Sequence, residues 1–144
     1  MAKPKPYKET NPVLNIVNED AGVYEVMDVL RRGITFNDFL QIVHESLLTM
    51  QEWARILHLD ARTLQRYRVS NLTFAPLQSE KILEIKILNK LGAQTFGDTE
   101  RFDTWLNAKN IYLGGVRPKD LLDNAFGIAL IKDELQRIQY GVLA

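Results

Sequence analysis

The chain has 144 residues, of which 46% are apolar and 25% charged, so it can bury one domain or two small domains that share a core. Its 18 basic and 18 acidic residues leave no net charge, which excludes a general attraction to nucleic acid and restricts DNA binding to a local patch or a dimer. Cysteine is absent, and this excludes disulfides, thiolate metal sites and cysteine nucleophiles.

Residues 1–18 are polar and rich in proline, and we predict a weakly ordered arm there. The arm lacks the apolar core of a signal peptide, and no apolar run in the chain reaches the roughly 20 residues that a membrane span needs. The sequence therefore predicts a cytoplasmic protein without membrane contact.

Two helices are predicted after the arm. The first covers residues 21–32 and ends at Gly33. Its apolar face comprises Val23, Val26, Met27 and Leu30. The second begins at Thr35, where Asp38 completes a capping arrangement. Its apolar stripe comprises Phe36, Phe39, Leu40 and Val43.

Residues 49–69 predict two short helices joined by a tight corner. Thr49 and Glu52 form a capping box at the start of the first helix, and Asp60 caps the second. The corner lies at His58, because histidine takes the left-handed conformation more readily than most residues other than glycine. The inward positions are Met50, Trp53, Ala54, Leu57, Ala61, Leu64 and Tyr67, with Leu59 plugging the corner. The outward positions of the second helix are Arg62, Thr63, Gln65, Arg66 and Arg68.

This helix pair has two interpretations. One is the unit that DNA-binding proteins lay in the major groove, where arginine binds guanine edges or phosphates and glutamine pairs with adenine. The DNA contacts would then come from Arg62, Thr63, Gln65 and Arg66, and Arg55 would add to the positive charge of the motif. The alternative is a plain helical corner whose outer face is merely solvated.

A long helix is predicted from Pro76, a favourable first residue, to about Phe96. It is apolar on more than one side, which indicates burial between two neighbours or a subunit interface. The apolar positions are Ile82, Leu83, Ile85, Ile87, Leu88 and Leu91.

The last third of the chain predicts two helices around an irregular loop at residues 110–118. Asp98 or Thr99 caps the first helix, and the loop contains a tight turn at Gly114 and Gly115. Pro118 opens a short helix before the final helix at residues 125–140. The inward positions are Phe102, Trp105, Leu106, Leu121, Leu122, Ile128, Ile131, Leu135 and Ile138, and Gly141 is the last cap. No segment alternates with period two, so the predicted fold class is all-α.

No catalytic constellation emerges from the sequence. His44 and His58 have no carboxylate at ligand spacing, so no metal site is predicted. The glycine pair at 114–115 lacks the strand and the lysine of a phosphate loop. Four carboxylates that share helix faces are interpreted as solvated charges: Glu80, Glu84, Asp120 and Asp123. We expect a protein that is not an enzyme and holds no cofactor.

Several motifs together resemble the Xre-type antitoxins of the Xre/MbcA/ParS group, whose C-terminal domain binds a toxin. In the second half these motifs are FDTWL (102–106), LGG (113–115), PKDLL (118–122), Gly127 and RIQYGV (137–142). In the first half they are DARTLQR (60–66) and FGD (96–98). Each motif alone is weak, but their order and spacing are specific, and the resemblance covers residues 33–144.

The resemblance implies an antitoxin of a type II toxin–antitoxin pair, with a RES-domain, NAD-depleting toxin as its partner. It implies a helix-turn-helix-containing N-terminal helical bundle at residues 19–97 and a small helical toxin-binding domain at residues 98–144. The C-terminal region would block the active site of the toxin. The antitoxin would repress its own operon as a homodimer or within the toxin complex.

The toxin-binding residues implied by position are Trp105, Leu113, Gly114, Gly115, Pro118, Arg137, Tyr140, Gly141 and Val142. A glycine cap after an aromatic residue, followed by an apolar end, can enter a concave site at little entropic cost. Two alternatives remain open at this point. Tyr140 and Val142 could instead cover the protein's own core. The chain could also be a helix-turn-helix transcriptional regulator without a toxin partner.

Overall fold

The computed structural model describes residues 22–141, so the predicted arm at residues 1–18 and the site residue Val142 lie outside the described part. Within that part the protein is all-α, as predicted, and contains no β-strand. None of its helices is long and apolar enough to cross a membrane. The helices are α1 (Val23–Arg32), α2 (Phe36–Glu45), α3 (Met50–Ile56), α4 (Ala61–Ser70), α5 (Pro76–Phe96), α6 (Thr99–Asn107) and α7 (Ala125–Gln139). Two 3₁₀ turns, Ile111–Leu113 and Pro118–Leu121, lie between α6 and α7.

The predicted caps set the starts of α2, α3, α4 and α6. In the capping box of α3, Thr49 Oγ1 accepts from the Glu52 backbone N–H at 3.1 Å, and Glu52 Oε1 accepts from the Thr49 N–H at 2.9 Å. Asp60 Oδ1 accepts from the backbone N–H of Thr63 at 2.6 Å. His58 has a φ of 55°, which confirms the predicted left-handed corner between α3 and α4.

An aromatic cluster forms the core of the first half. The ring of Phe39 lies 5.0 to 5.4 Å from the rings of Phe36, Trp53 and Phe74, in edge-on geometry. The Trp53 indole N–H donates to Ser46 Oγ at 3.2 Å, so its one polar atom is satisfied inside the core. The helix pair α3–α4 packs against α2 through this cluster, and α2 packs on α5.

The buried face of α1 differs from the prediction. Val29, which the predicted stripe left out, is 2% exposed, whereas the predicted inward residues Val23 and Met27 are 72% and 37% exposed. Val26 and Leu30 are half-buried as expected. The apolar residues of α1 satisfy two overlapping helical stripes, and α1 contacts α5 through the second one.

Smaller differences occur in the helix-turn-helix region. Ala61 was predicted to point inward but is exposed, since it lines an open groove beside Met50 and Ala54. Ile42 and Ile56 are buried although the predicted stripes omitted them. Leu64 and Trp53 are buried as predicted.

The long helix α5 belongs to both halves of the molecule. Pro76 occupies its first turn, and Gly97, with a φ of 96°, ends it in the left-handed conformation. On the N-terminal side α5 contacts α1 and α2, and on the C-terminal side it contacts α6 and α7. Ile82, Ile85 and Leu88 are buried within one continuous apolar core. The predicted burial of α5 between two neighbours is therefore confirmed.

Two glycines let the C-terminal elements approach closely. A Cβ at Gly92 of α5 would lie 2.4 Å from the ring of Phe102, so α6 packs directly on the α5 backbone. A Cβ at Gly127 of α7 would lie 1.9 Å from the carbonyl oxygen of Leu121. The second contact holds the start of α7 against the end of the preceding 3₁₀ turn.

Candidate DNA-binding and protein-binding faces

The outer face of α4 carries the residues predicted to bind DNA. Arg62, Gln65 and Arg66 are exposed and share one stripe of the helix, because they are spaced by three and four residues. Thr63 is half-buried, and its backbone N–H is bound by the cap Asp60. The structure thus presents three of the four predicted DNA-binding side chains to solvent.

The charge of this face comes from fewer arginines than expected. Within residues 22–141, Arg62, Arg66 and Arg68 form no salt bridge, although the Asp60 carboxylate attracts Arg62 and Arg66 at longer range. Arg55, counted with the motif in the sequence, lies elsewhere, since it donates to the carbonyl oxygen of Lys119 at 3.1 Å. That part of the charge estimate was wrong.

A shallow groove runs between α3 and α4. Its volume is about 190 Å³, and exposed Gln51 and Gln65 lie on its rim with Arg68. Gln51 stands at the N-terminus of the first motif helix, which crosses the DNA backbone in helix-turn-helix complexes. Sequence reasoning did not single out Gln51, because periodicity alone does not distinguish its position from that of an ordinary surface glutamine.

A second face lies on α7. Phe126 is 86% exposed and Leu130 is 52% exposed, and both share a stripe with Arg137 and Tyr140 within about 80° around the helix axis. The opposite side of α7 is buried against α5. We call this stripe, together with Tyr112, the α7 face.

Arg137 connects the α7 face to the preceding loop. Its guanidinium lies 4.5 Å from the centroid of the Tyr112 ring, and its Nε donates to Glu134 Oε2 at 3.0 Å. The second Glu134 oxygen accepts from Arg137 Nη2, and this paired carboxylate raises the pKa of the Arg137 guanidinium. The predicted binding residue Arg137 therefore holds Tyr112, itself 73% exposed, at the end of the α7 face.

The loop between the two 3₁₀ turns is closed by the backbone. The Asn110 N–H donates to the Val116 carbonyl at 2.9 Å, and the Gly115 N–H donates to the Asn110 carbonyl at 2.8 Å. Gly114 and Gly115 have φ values of 84° and 78°, as a tight glycine turn requires. Ile111, 84% exposed, projects from this loop near Tyr112.

The predicted toxin-binding residues fall into two groups. Gly114, Gly115, Tyr140 and Gly141 are exposed, and Arg137 is partly so. Tyr140 is 75% exposed, so the alternative in which it covers the protein's own core is wrong. Trp105 and Leu113 are half-buried against the core, and Pro118 is buried. Trp105 packs its ring against Phe96 and Phe102.

Sequence reasoning missed Ile111, Tyr112, Phe126 and Leu130 as candidates for binding. Exposed apolar residues carry no periodic signal of their own, because a residue outside the buried stripe is indistinguishable from an ordinary surface position. The Phe126 and Leu130 pair, four residues apart and outside the buried stripe of α7, was the available signal.

Two of the four carboxylates interpreted as solvated charges lie in ion pairs. Asp120 accepts from Arg117 at 2.9 and 3.1 Å, and this pairing lowers the pKa of Asp120. Asp123 lies 3.6 Å from Arg55. Both side chains remain partly exposed, so these solvated charges are also members of ion pairs. Among the described residues, no group of three or more histidine, aspartate or glutamate side chains could hold a metal ion.

The fold and the two faces define a class, namely a helix-turn-helix protein that carries a second helical module for binding a partner. Residues 25–85 match the family model described as the antitoxin Xre-like helix-turn-helix domain. Residues 91–141 match the model described as the antitoxin Xre/MbcA/ParS C-terminal toxin-binding domain. The chain therefore belongs to the Xre-type antitoxins.

A curated relative supports this assignment. The chain is 27% identical over 125 residues to a protein of Sphingobium sp. (strain YBL2) named "Prs ADP-ribosylating antitoxin". The match covers 81% of this chain and 79% of the relative. Both family models end or begin inside α5, which is the helix that the two halves share.

Proposed function

We propose that the chain neutralises a cognate NAD-using toxin by covering its active site with the α7 face and the adjacent C-terminal residues, without catalysis of its own. The single observation that carries the proposal is the α7 face itself. Phe126, Leu130 and Tyr140 are large, apolar and exposed, and they lie in the segment that matches a toxin-binding domain. Aromatic residues at such positions are the usual anchors of protein interfaces.

The residues predicted from the sequence take different parts in this interface. Tyr140, Gly141 and Val142 supply the segment that enters the active site. Gly114 and Gly115 allow close approach of the toxin backbone to the loop, since a side chain is absent there. Trp105, Leu113 and Pro118 support the loop from below rather than contact the toxin.

The toxin is proposed to be a RES-domain enzyme that consumes NAD. The name of the Sphingobium relative links that protein to ADP-ribosylation of Prs. ADP-ribosyl transfer and NAD hydrolysis both cleave the bond between nicotinamide and ribose, so the same pocket chemistry serves either activity. Expression of the toxin alone would distinguish the two activities. Loss of NAD without ADP-ribosylated protein indicates hydrolysis, and ADP-ribose on a target protein indicates transfer.

The test of toxin binding uses the full chain and the protein encoded by the adjacent reading frame. We expect that protein to arrest growth alone and to co-elute harmlessly with this chain. Phe126→Ala and Tyr140→Ala should each weaken the complex at least about tenfold. Val23→Ala is the control, because Val23 is also a largely exposed apolar residue but lies on α1. Full neutralisation by a chain that lacks residues 140–144 would overturn the proposed role of the tail.

A second function, repression of the chain's own operon, is favoured by the unpaired arginines of α4. We propose that a homodimer or the toxin complex in the cytoplasm places two α4 helices on operator half-sites, because one neutral chain offers few phosphate contacts. Arg62→Ala or Arg66→Ala should reduce affinity for the upstream DNA roughly tenfold in fluorescence anisotropy. Arg101→Ala, which removes an exposed arginine of α6, should leave that affinity unchanged.

The competing candidate is a transcriptional regulator without a toxin partner. In that case the α4 substitutions would abolish function, and the tail deletion would be harmless. The matched toxin-binding segment at residues 91–141 has no use in a simple repressor, and it favours the antitoxin.

A further inference from the structure

One side of α3 is joined to the toxin-binding half by a set of polar contacts. Glu52, Arg55 and His58 are spaced by three residues and face the segment that contains Lys119 and Asp123. We call these five residues the α3 latch. The contacts span the boundary between the helix-turn-helix region and the toxin-binding half.

Lys119 is the centre of the α3 latch. Its side chain is only 9% exposed, and its Nζ lies 2.7 Å from Glu52 Oε2 and 2.8 Å from Asn107 Oδ1. A buried ammonium group is costly unless it is paired and hydrogen-bonded, and these two acceptors meet that need. Removal of either acceptor would leave a positive charge partly uncompensated inside the protein.

Glu52 performs two tasks with one carboxylate. Oε1 completes the capping box at Thr49, and Oε2 binds Lys119. Burial alone would raise the pKa of Glu52, but the hydrogen bonds from Lys119 and Thr49 outweigh it and lower that pKa. The cap that starts the first motif helix is therefore continuous with the toxin-binding half.

Two further contacts complete the latch. Arg55 donates to the Lys119 carbonyl at 3.1 Å and lies 3.6 Å from Asp123 Oδ2. His58, at the left-handed corner, lies with Nε2 2.9 Å from the Asp123 carbonyl oxygen. Both ends of α3 are thus attached to residues 119–123.

Open space lies beside the latch. A crevice of about 470 Å³ opens beside it between His58, Gln78 and Asp123. The Gln78 side-chain oxygen is buried there without a hydrogen-bond partner among the described residues. The polar contacts of the latch therefore border open space on one side and add to the shared apolar core in joining α3 to the toxin-binding half.

The latch also adjoins the proposed toxin-binding loop in sequence. Lys119 follows Pro118 directly, and the exposed loop at residues 110–117 leads into it. A partner that orders this loop therefore acts directly beside Lys119, the residue that holds Glu52. We propose that the α3 latch transmits toxin occupancy to the helix-turn-helix pair, with Lys119 as the positioning residue. The inference rests on the proposed toxin binding.

The test is hydrogen exchange of the full chain, alone and in complex with the protein encoded by the adjacent reading frame. Exchange in peptides covering residues 50–57 should change by about fivefold or more on complex formation. Lys119→Met keeps the length of the side chain but removes its charge. We expect this variant to bind the toxin without the change in hydrogen exchange of α3. Arg101→Met, the matched control in an exposed ion pair of α6, should behave as the unmodified chain.

A second variant keeps the inference testable if Lys119→Met does not fold. Glu52→Gln retains an oxygen for the Thr49 N–H but weakens the bond to Lys119, so it should reduce the α3 response while α3 stays capped. An unchanged α3 in the complex, or an equal change in Lys119→Met, would overturn the inference while toxin binding stands. Absence of any complex would instead overturn the proposed function, and with it this inference.

Discussion

At the scale of single residues, Gly127 is the described glycine at which an added methyl group would clash most closely with its neighbours. A Cβ there would lie 1.9 Å from the Leu121 carbonyl oxygen, and neither backbone segment can move without separating α7 from the 3₁₀ turn. We expect Gly127→Ala to lower the free energy of unfolding by about 2 kcal/mol or more, measured by urea denaturation. Gly22→Ala is the control, because nothing lies within 4 Å of a Cβ at Gly22. Equal stability of the two variants would contradict the close approach.

Glu84 provides a residue-scale test of electrostatics. Burial raises its pKa above the ordinary 4.5, and this outweighs the attraction of Lys81. A carboxyl whose folded-state pKa is raised destabilises the fold above that pKa, and the cost disappears as pH falls below 4.5. Glu84→Gln should therefore raise the melting temperature at pH 7 by about 1 °C and have no such effect at acidic pH. Asp133→Asn, at an exposed carboxylate of α7, is the control, because Glu80 itself contributes to the raised pKa of Glu84.

At the scale of the element, the capping box determines whether α3 starts at the right residue. Thr49→Ala removes the acceptor for the Glu52 N–H, and we expect it to cost about 1 kcal/mol of stability, or about 4 °C in thermal melts. Thr49→Ser retains the hydroxyl and should recover most of the loss. A similar loss in both variants would show that packing of the threonine methyl group, rather than the cap, is what matters.

The sequence predicts elements well where the causes are local. The caps at Thr35, Thr49, Asp60 and Asp98 act within three residues, so a single segment contains all the information. The phase of the buried face of α1 could not be derived, because two overlapping apolar stripes fit the helix and only the contact with α5 decides which one is buried.

The candidate faces also combine features with local causes and features that depend on tertiary contacts. The outward stripe of α4 follows from helical spacing around Leu64. The hydrogen bond from Arg55 to the Lys119 carbonyl does not follow from helical spacing, since the two residues are 64 positions apart. The role of Arg137 in holding Tyr112 likewise depends on a contact between a helix and a distant loop. Such tertiary pairings leave no periodic trace in one sequence.

At the scale of the whole molecule, the predicted domain boundary at residues 97/98 separates Phe102 and Leu106 from the helix that buries them. We expect a fragment of residues 98–144 to be unfolded by circular dichroism, because the apolar sides of α6 and α7 would face water. A fragment of residues 76–144, which retains α5, should keep its helical signal. A folded shorter fragment would show that the toxin-binding half needs no support from α5.

The shared helix also affects how the protein is removed from a cell. Since one core runs through both halves, an opening large enough to admit a protease at one half exposes the other as well. Proteolysis would then remove the proposed toxin neutralisation and the proposed repression in the same event. A single cleavage would both end neutralisation of the toxin and restart transcription of the operon, and no separate signal would be needed to coordinate the two.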